Sequence, residues 1–362
     1  MNQELDRFES LYALFDESVP ALLATNIANI RYLLNQPTLF DPDFGGFMLI
    51  KKGLAILFVD SRYIAKASTA NLGCDIRQLT GSPWVMAASA IDELEIKRVG
   101  FEANNLSVAQ WEALKERTKA ELVPLKNFVE EERLIKGEKE IKNLSRAAAI
   151  SDNVFSEILK VVQPGLREID VAMEIDYRMK KAGADGSSFE TIVASGPHSA
   201  FPHAGAEDRL LQLGDFIKMD FGAVYSGYHG DMTRTIVMGP ASKRQRQVYA
   251  GVKAAQQLVL DKLKVGMTGA EADAVARESF LAIGMADKFS HNLGHGLGLE
   301  VHEGPSLGPK NNKRLEKNMV FTVEPGLYFE GFGGVRIEDM VVMRENGVEV
   351  LTKSSKELIE IG

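Results

Sequence analysis

The sequence predicts an α+β protein with two domains, the second of which contains two similar halves. Its length of 362 residues exceeds what one ordinary hydrophobic core accommodates. Strand-like and helix-like runs alternate over residues 1–130, whereas residues 131–362 carry helical and β-type patterns that recur at a nearly constant offset. A charged stretch at 130–140 (EEERLIKGEKE) separates the two regions, and we expect it to be a solvated face. The predicted domains are therefore 1–130 and 131–362.

The composition restricts the possible partners and the compartment. The hydrophobic content of 45% and the charged content of 25% are typical of a soluble globular protein. The net charge of −8 argues against a nucleic acid or an anionic membrane as partner. No apolar run reaches the ~18 residues of a membrane span, and the acidic N-terminus (1–18) differs from a signal peptide. Cys74 is the only cysteine, which favours a reducing cytoplasm.

The N-terminal region has the alternation of an α/β layered domain. We predict a hairpin at 47–59, a helix at 63–72, a strand at 98–102, a helix capped by Ser107 and a strand at 121–125. Metal-ligand or nucleophile spacing is not found there. The region is expected to shape substrate access or an oligomer contact, or to be purely structural.

The stretch 217–237 (IKMDFGAVYSGYHGDMTRTIV) has the pattern of an antiparallel hairpin with one aspartate in each apolar run. If the turn is centred between Tyr225 and Ser226, Asp220 and Asp231 lie directly across the ladder, with Cβ atoms roughly 5 Å apart. Two carboxylates at that distance repel, and divalent cations would fit between them. The alternative is a solvent-exposed pair at a hairpin edge.

An internal repeat supports the metal interpretation. Segments 165–183 and 266–284 both run from glycine to glycine over 18 residues, at an offset of 101. His203 and His302 follow at an offset of 99, and all six histidines fall between positions 198 and 302. We therefore expect a functional site in the C-terminal domain.

The second half also carries two carboxylates within apolar β-type runs, namely Glu324 in 319–329 and Glu338 in 334–343. Two facing hairpins would gather four acidic groups, which require cations or protonation to coexist. A histidine between the halves, within 291–302, is the remaining candidate ligand. Glycines around His295 would allow the backbone to come close to a metal or substrate.

An oxygen-rich set with one imidazole suits Mn²⁺, Co²⁺ or Zn²⁺. The sequence resembles the metallopeptidase family with the pita-bread fold, in its proline-peptidase branch of Xaa-Pro aminopeptidases and prolidases. The motifs that carry the resemblance are SGPHSAFPHA (195–204), KMDFG (218–222), GDMTRT (230–235), GHGLGLEVHEGP (294–305), TVEPG (322–326) and GVRIED (334–339). Residues 1–130 resemble that branch's creatinase-like N-terminal α/β domain, which methionine aminopeptidases usually lack. The resemblance implies a pita-bread catalytic domain with a pseudo-two-fold repeat at 131–362.

The resemblance also implies two divalent metal ions, with Mn²⁺ preferred over Co²⁺ or Zn²⁺, that share an activated hydroxide. The implied metal ligands are Asp220, Asp231, His295, Glu324 and Glu338, of which Asp231 and Glu338 bridge the ions. The implied catalytic residues are Glu324 as general base, His203 and His302 beside the scissile carbonyl, and Arg336 as an anchor for the bridging carboxylate or the substrate.

Other polar and aromatic residues near these motifs have ordinary explanations. His229 lies on the same strand face as Asp231 and is a candidate for supporting a ligand. For His198 a loop hydrogen bond is favoured over catalysis, and His291 and Tyr228 are expected to pack or line the pocket. Phe201 is a candidate for narrowing the substrate pocket.

The predicted activity is that of a cytoplasmic, homodimeric Xaa-Pro aminopeptidase, which acts on peptides with proline at the second position. The alternative is an Xaa-Pro dipeptidase (prolidase). Archaeal-type prolidases often carry an arginine where this chain has Ser306, which favours the aminopeptidase. A non-enzymatic pita-bread binding module and a creatinase-type amidinohydrolase are disfavoured, because all five ligand positions hold competent residues.

Overall fold

The computed structural model describes residues 7–41 and 43–362. The first six residues of the acidic N-terminal segment lie outside the described residues. The chain divides into two compact units, Met1–Arg133 and Leu134–Gly362. The sequence-based domain limits of 1–130 and 131–362 stay a prediction. Across the described residues, no helix combines the length and the apolar character needed to cross a bilayer.

The N-terminal unit is a mixed sheet with helices packed on both faces. In chain order its elements are α1 (Arg7–Ala13), β1 (Ala21–Ala24), α2 (Ile27–Leu33), β2 (Phe47–Lys51), β3 (Leu54–Val59), α3 (Ile64–Thr69), β4 (Asp75–Gln78), α4 (Pro83–Glu93), β5 (Arg98–Glu102), α5 (Val108–Lys115), β6 (Glu121–Leu125) and α6 (Phe128–Arg133). The strand order is β4-β3-β2-β1-β5-β6, and a separate hydrophobic cluster covers each face. The α/β layered prediction is confirmed.

Most of the elements predicted for this unit are confirmed. The predicted hairpin is the antiparallel pair β2–β3, and β5 and β6 have the predicted bounds. Ser107 caps α5 through a capping box with Gln110, in which each side chain bonds the other residue's backbone N–H. The helix predicted at 63–72 is shorter, because α3 ends at Thr69.

The charged stretch 130–140 is not a solvated face throughout, so that prediction is wrong in part. Arg133 is buried and its guanidinium donates to Asn29 Oδ1 at 2.8 Å. Lys136 is buried as well, and its Nζ lies 2.6 Å from Glu303 Oε1. The charge pattern cannot show this, because such burial depends on partners that are distant in sequence.

The C-terminal unit contains the remaining elements. In chain order they are α7 (Glu138–Ile158), α8 (Glu168–Lys181), β7 (Gly186–Ser187), β8 (Ile192–Ser195), β9 (Phe216–Phe221), β10 (Ala223–Tyr225), β11 (Tyr228–His229), β12 (Met232–Met238), α9 (Lys243–Lys262), α10 (Gly269–Ala282), β13 (Gly294–Gly296), β14 (Glu303–Leu307), β15 (Val320–Val323), β16 (Gly326–Phe329), β17 (Gly333–Arg336), β18 (Asp339–Arg344), β19 (Gly347–Val350) and β20 (Glu360–Ile361).

The predicted repeat is confirmed in the helices of this unit. Helices α8 and α10 both have 14 residues, and their bounds keep the offset of 101. The glycine just beyond each helix, Gly183 after α8 and Gly284 after α10, has a positive φ of 95° and 70° respectively. That left-handed conformation ends a helix and favours glycine, which explains why the repeat was visible in the sequence.

Each half of this unit packs two helices against one sheet. Helices α7 and α8 cover the sheet β20-β12-β9-β8, and α9 and α10 cover the sheet β14-β13-β15-β18-β19. Strand alternation places Ile217, Met219 and Phe221 in the first of these cores. Lys218 and Asp220 therefore project from the opposite face of β9, and this face carries the site.

Candidate metal centre

The first carboxylate pair comes from the hairpin β9–β12, in a register that differs from the prediction. Asp220 lies opposite Thr233, and the turn is Ser226-Gly227, with φ of 49° and 75° between paired Tyr225 and Tyr228. The turn is centred one residue later than expected, so Asp231 is not directly opposite Asp220. It lies two residues before Thr233 and therefore projects from the same face of the hairpin as Asp220.

The second pair comes from the strands β15 to β18 and is directly opposed. Val323 pairs with Asp339, and Gly326 pairs with Arg336. Both registers place Glu324 opposite Glu338, at the point where one ladder ends and the next begins. The two hairpins thus supply two carboxylates each.

His295 on β13 brings the imidazole to these carboxylates. Its Nε2 lies 3.5 Å from both Asp231 Oδ2 and Glu324 Oε1, and its Nδ1 lies 3.1 Å from the carbonyl oxygen of Gly296. Because a carbonyl only accepts, Nδ1 carries the proton and Nε2 faces the cluster. Ligand atoms of Asp231, His295 and Glu338 all lie within 4.8 Å of one another, which suits a shared metal ion.

The repeat explains why the set contains one imidazole rather than two. In the first half, Ala194 on β8 lies opposite Lys218. In the second half, the pairing of β13 with β15 places His295 opposite Thr322. Lys218 and Thr322 each precede a carboxylate of the cluster by two residues, so Ala194 is the counterpart of His295.

Arg336 forms its ion pair with Asp220 and not with Asp231 or Glu338, the predicted bridging carboxylates, and the alternative that it anchors the substrate stays a prediction. Its guanidinium forms a buried ion pair with Asp220 Oδ2, donates from Nε to Thr233 Oγ1 at 2.9 Å, and donates from Nη1 to Tyr328 Oη at 3.0 Å. Thr233 in turn donates to Glu338 Oε2 at 2.6 Å. Sequence reasoning missed Thr233, although its place two residues after Asp231 on one strand face was a usable signal.

Burial of so many acidic groups shifts their ionisation in the metal-free protein. Burial raises the pKa of Asp231 to about 6, the pKa of Glu324 to about 7, and the pKa of Glu338 well above its ordinary value. Burial alone would lower the pKa of His295, but Asp231 and Glu324 raise it to about 9. The cluster therefore stabilises positive charge and disfavours additional negative charge.

The residues present fit divalent metal ions. Asp220 Oδ1 and Asp231 Oδ1 are buried oxygens without a hydrogen-bond partner among the described residues. Buried carboxylate oxygens are costly unless a hydrogen bond or a cation satisfies them. Four carboxylates and one neutral imidazole are a donor set for hard to borderline ions such as Mn²⁺, Co²⁺ or Zn²⁺.

All the predicted site residues line one cavity of about 480 Å³ in the C-terminal unit. The predicted residues in its wall are His203, Asp220, Asp231, His295, His302, Glu324, Arg336 and Glu338. His203 and His302 are exposed, and the ring of His302 lies 4.4 Å from that of His295. Partial burial and the neighbouring histidines lower the pKa of His302. Its imidazole is therefore neutral at pH 7.

Most of the other polar and aromatic residues near the motifs lie where the sequence predicts. His198 Nδ1 bonds Glu168 Oε2 at 2.8 Å, a loop contact outside the cavity wall. His291 lines the cavity, and Tyr228 is buried. Phe201 is 59% exposed and borders a different groove, so its predicted role in narrowing the pocket is wrong. His229 is half-buried, and its role near the ligands stays a prediction.

The fold and this cluster define a two-domain hydrolase with a carboxylate-rich metal site. The sequence model for Metallopeptidase family M24 matches residues 142–345, and that for the Creatinase/Prolidase N-terminal domain matches residues 8–135. The chain belongs to metallopeptidase family M24, with the pita-bread catalytic fold, and is an enzyme that uses divalent metal. A non-enzymatic binding module is not supported.

Several proteins are similar over the whole chain. The structure of an Xaa-Pro dipeptidase from Bacillus anthracis is 42% identical with a TM-score of 0.94, covering 98% of this chain and 99% of that one. The structure of an X-Pro aminopeptidase from Thermotoga maritima is 35% identical with a TM-score of 0.88, covering 98% and 100%. An Xaa-Pro dipeptidase from Pyrococcus furiosus is 34% identical over 361 residues, covering 98% and 99%.

Proposed function

We propose that the protein is an Xaa-Pro dipeptidase, which hydrolyses the bond between an N-terminal residue and a C-terminal proline. The observation that carries this proposal is the whole-length similarity to proteins named Xaa-Pro dipeptidases, together with the five ligand-type side chains in one cavity. Ser306, in place of the arginine of archaeal-type prolidases, favours the aminopeptidase. The similarities support the dipeptidase better.

In this proposal, Asp220, Asp231, His295, Glu324 and Glu338 hold two divalent ions, with Mn²⁺ as the preferred metal. Bound divalent ions supply Lewis acidity to the scissile carbonyl and lower the pKa of water. Arg336 orients Asp220 through their ion pair. The bond from Thr322 Oγ1 to Glu324 Oε1, at 3.1 Å, fixes one oxygen of Glu324.

The remaining steps fall to side chains on the cavity wall. Glu324 moves the proton from the attacking water to the leaving nitrogen, a role that its place in the cavity wall allows. His203 and His302 donate to the scissile carbonyl oxygen as charge develops there. The proline nitrogen is a tertiary amide without an N–H, so a site that requires no donor from that nitrogen suits this bond.

The second candidate is the Xaa-Pro aminopeptidase, which the likeness to the Thermotoga enzyme and Ser306 in the cavity wall favour. We test the two with Mn²⁺-loaded enzyme on Xaa-Pro dipeptides, on Xaa-Pro-Yaa tripeptides and on Xaa-Ala controls. The expected result is a higher kcat/KM for the dipeptides and little cleavage of the controls. Equal or faster cleavage of the tripeptides would establish the aminopeptidase instead.

A cytoplasmic location and a homodimer complete the proposal. A single cysteine suits a reducing compartment, which supports the location. The homodimer rests on the resemblance to the proline-peptidase branch. Sedimentation equilibrium of the metal-loaded protein tests it, and a monomer at assay concentrations would contradict it.

A further inference from the structure

Lys218 is a fully buried lysine beside the metal cluster that the proposed mechanism does not use. It lies on β9 two residues before Asp220 and projects from the same face of that strand. Its Nζ donates to three backbone carbonyl oxygens, those of Ser199 at 3.3 Å, Phe201 at 2.5 Å and Pro202 at 3.1 Å. A lysine nitrogen that binds three carbonyls of one short segment fixes the path of that segment.

The segment held by Lys218 leads directly into His203. The short 3₁₀ helix Gly196–Ala200 begins it, and His203 follows Pro202, the last of the three residues whose carbonyls are bound. The side chain of His203 is exposed at the cavity, so packing of its own ring does little to fix it. Its position therefore depends on the backbone that precedes it.

Further contacts show that this segment has a defined place. Arg336 Nη1 donates to the Pro202 carbonyl at 3.0 Å, so this oxygen accepts from Arg336 and Lys218 together. The backbone N–H of Gly334 donates to Ser199 Oγ at 2.9 Å. A Cβ at position 334 would lie 2.4 Å from the Ser199 carbonyl oxygen, so the backbone at Gly334 is in close contact with the 199–202 segment.

We propose that Lys218 is a positioning residue that holds the backbone at 199–202 and thereby sets the position of the His203 imidazole over the substrate. This inference rests on the proposed function, in which His203 contacts the scissile carbonyl. Lys218 itself touches neither substrate nor metal. The same strand thus supplies a metal ligand, Asp220, and the support for a residue on the substrate side.

The test is a double-mutant cycle with Lys218→Met and His203→Ala in the metal-loaded enzyme. Lys218→Met keeps an unbranched side chain and removes the donor. We expect kcat to fall by up to about 100-fold, with KM and metal content little changed, because a small misplacement of a catalytic group is costly. In the His203→Ala background, the same substitution should have almost no further effect on kcat.

Lys356→Met is the matched control. Lys356 Nζ donates to Gln256 Oε1 at 2.9 Å and to Asp339 Oδ2 at 2.8 Å, away from the 199–202 segment. Its effect on kcat should be the same factor in both backgrounds. If Lys218→Met lowers kcat by the same factor in the His203→Ala background as in the wild-type background, the proposal is wrong.

A second measurement applies if Lys218→Met gives little folded protein or if no Xaa-Pro substrate is cleaved. Lys218→Gln keeps an N–H donor and is the milder variant. The His203 Cε1–H resonance is followed in zinc-loaded enzyme, in which six histidines give few signals. The resonance should shift or broaden in either variant while that of His229 stays in place. An unchanged His203 resonance overturns the inference independently of the activity.

Discussion

Thr233 shows how much of the site depends on a residue that binds no metal. Its hydroxyl accepts a hydrogen bond from Arg336 Nε and donates one to Glu338 Oε2. Thr233 therefore connects Glu338 to the guanidinium group that forms the ion pair with Asp220. Acidic and imidazole residues could be picked from the sequence because their type indicates metal chemistry. A threonine in a β-strand is ordinary, so residue type did not single it out; its place two residues after Asp231 was the available signal, and the contacts define its role.

Thr233→Val should weaken metal binding by about 10- to 100-fold, because Glu338 loses the donor that orients it. Valine keeps the shape of the side chain and its preference for a strand. Isothermal titration of the apoprotein with Mn²⁺ measures the change. The matched control is Thr235→Val, whose hydroxyl binds the backbone of Arg336 and not a ligand. Equal losses in the two variants would contradict the assigned role.

Asp231→Ala should abolish metal binding and activity together. Asp231 Oδ2 lies 3.5 Å from His295 Nε2, and ligand atoms of Asp231, His295 and Glu338 lie within 4.8 Å of one another. If Asp231 bridges the two ions as proposed, its loss leaves neither ion fully held. Metal analysis after gel filtration, alongside the rate on an Xaa-Pro dipeptide, checks this. Full turnover with both metals retained is the result that would refute the ligand assignment.

The two hairpins show which features of a secondary-structure element the hydrophobic pattern predicts and which it does not. Apolar alternation and glycines correctly predicted both hairpins and both carboxylate pairs. The register of the first was wrong by one residue at the turn, because Ser226 adopts a left-handed conformation with φ of 49°. A serine in that conformation is uncommon, and residue type therefore gave no reason to expect it.

Strand β13 is held so close to β14 that a methyl group should displace the imidazole next to it. A Cβ at Gly296 would lie 1.8 Å from the Gly304 carbonyl oxygen. We expect Gly296→Ala to push the strands apart, move His295 and reduce metal content. Gly186→Ala is the control, because a Cβ there meets nothing within 4 Å. Normal metal content in Gly296→Ala, measured by elemental analysis, would show that the strand tolerates the change.

The molecule as a whole was predictable where local signals repeat, and not where distant segments meet. The duplicated helices ending in glycine revealed the pseudo-symmetric unit. The strand order of the N-terminal sheet could not be predicted from the sequence, because β1 pairs in parallel with the distant β5, with Leu22 opposite Gly100. The burial of Lys136 was not predictable for the same reason, because its partner Glu303 is distant in sequence.

The metal-free protein should lose stability as the pH rises from about 5 to about 9. The pKa values of Asp231 and Glu324, about 6 and about 7, lie above their ordinary values of 3.8 and 4.5, so the folded state retains protons that the unfolded state releases. The raised pKa of His295, about 9, acts in the same direction, since its stabilisation is lost as the pH passes that value. Calorimetry in the presence of a chelator measures Tm across this range.

Saturation with Mn²⁺ is the control, because the ions replace the protons that the site otherwise binds and the decline in Tm should shrink. A Tm of the metal-free protein that increases between these pH values would show that other groups dominate. The difference in slope between the metal-free and the Mn²⁺-saturated protein thus reports on the ligand cluster without any assay of activity.

The equal division of the carboxylates between the two hairpins has a consequence for how the catalytic unit comes apart. In the proposed ligand set, one half supplies Asp220 and Asp231 and the other supplies His295, Glu324 and Glu338, so opening of either half removes ligands from the ions. Bound ions should therefore favour the conformation in which both duplicated parts are folded. In the metal-loaded enzyme, local opening of either sheet should therefore be suppressed, because it would release the ions. After chelation, each sheet should open independently of the other.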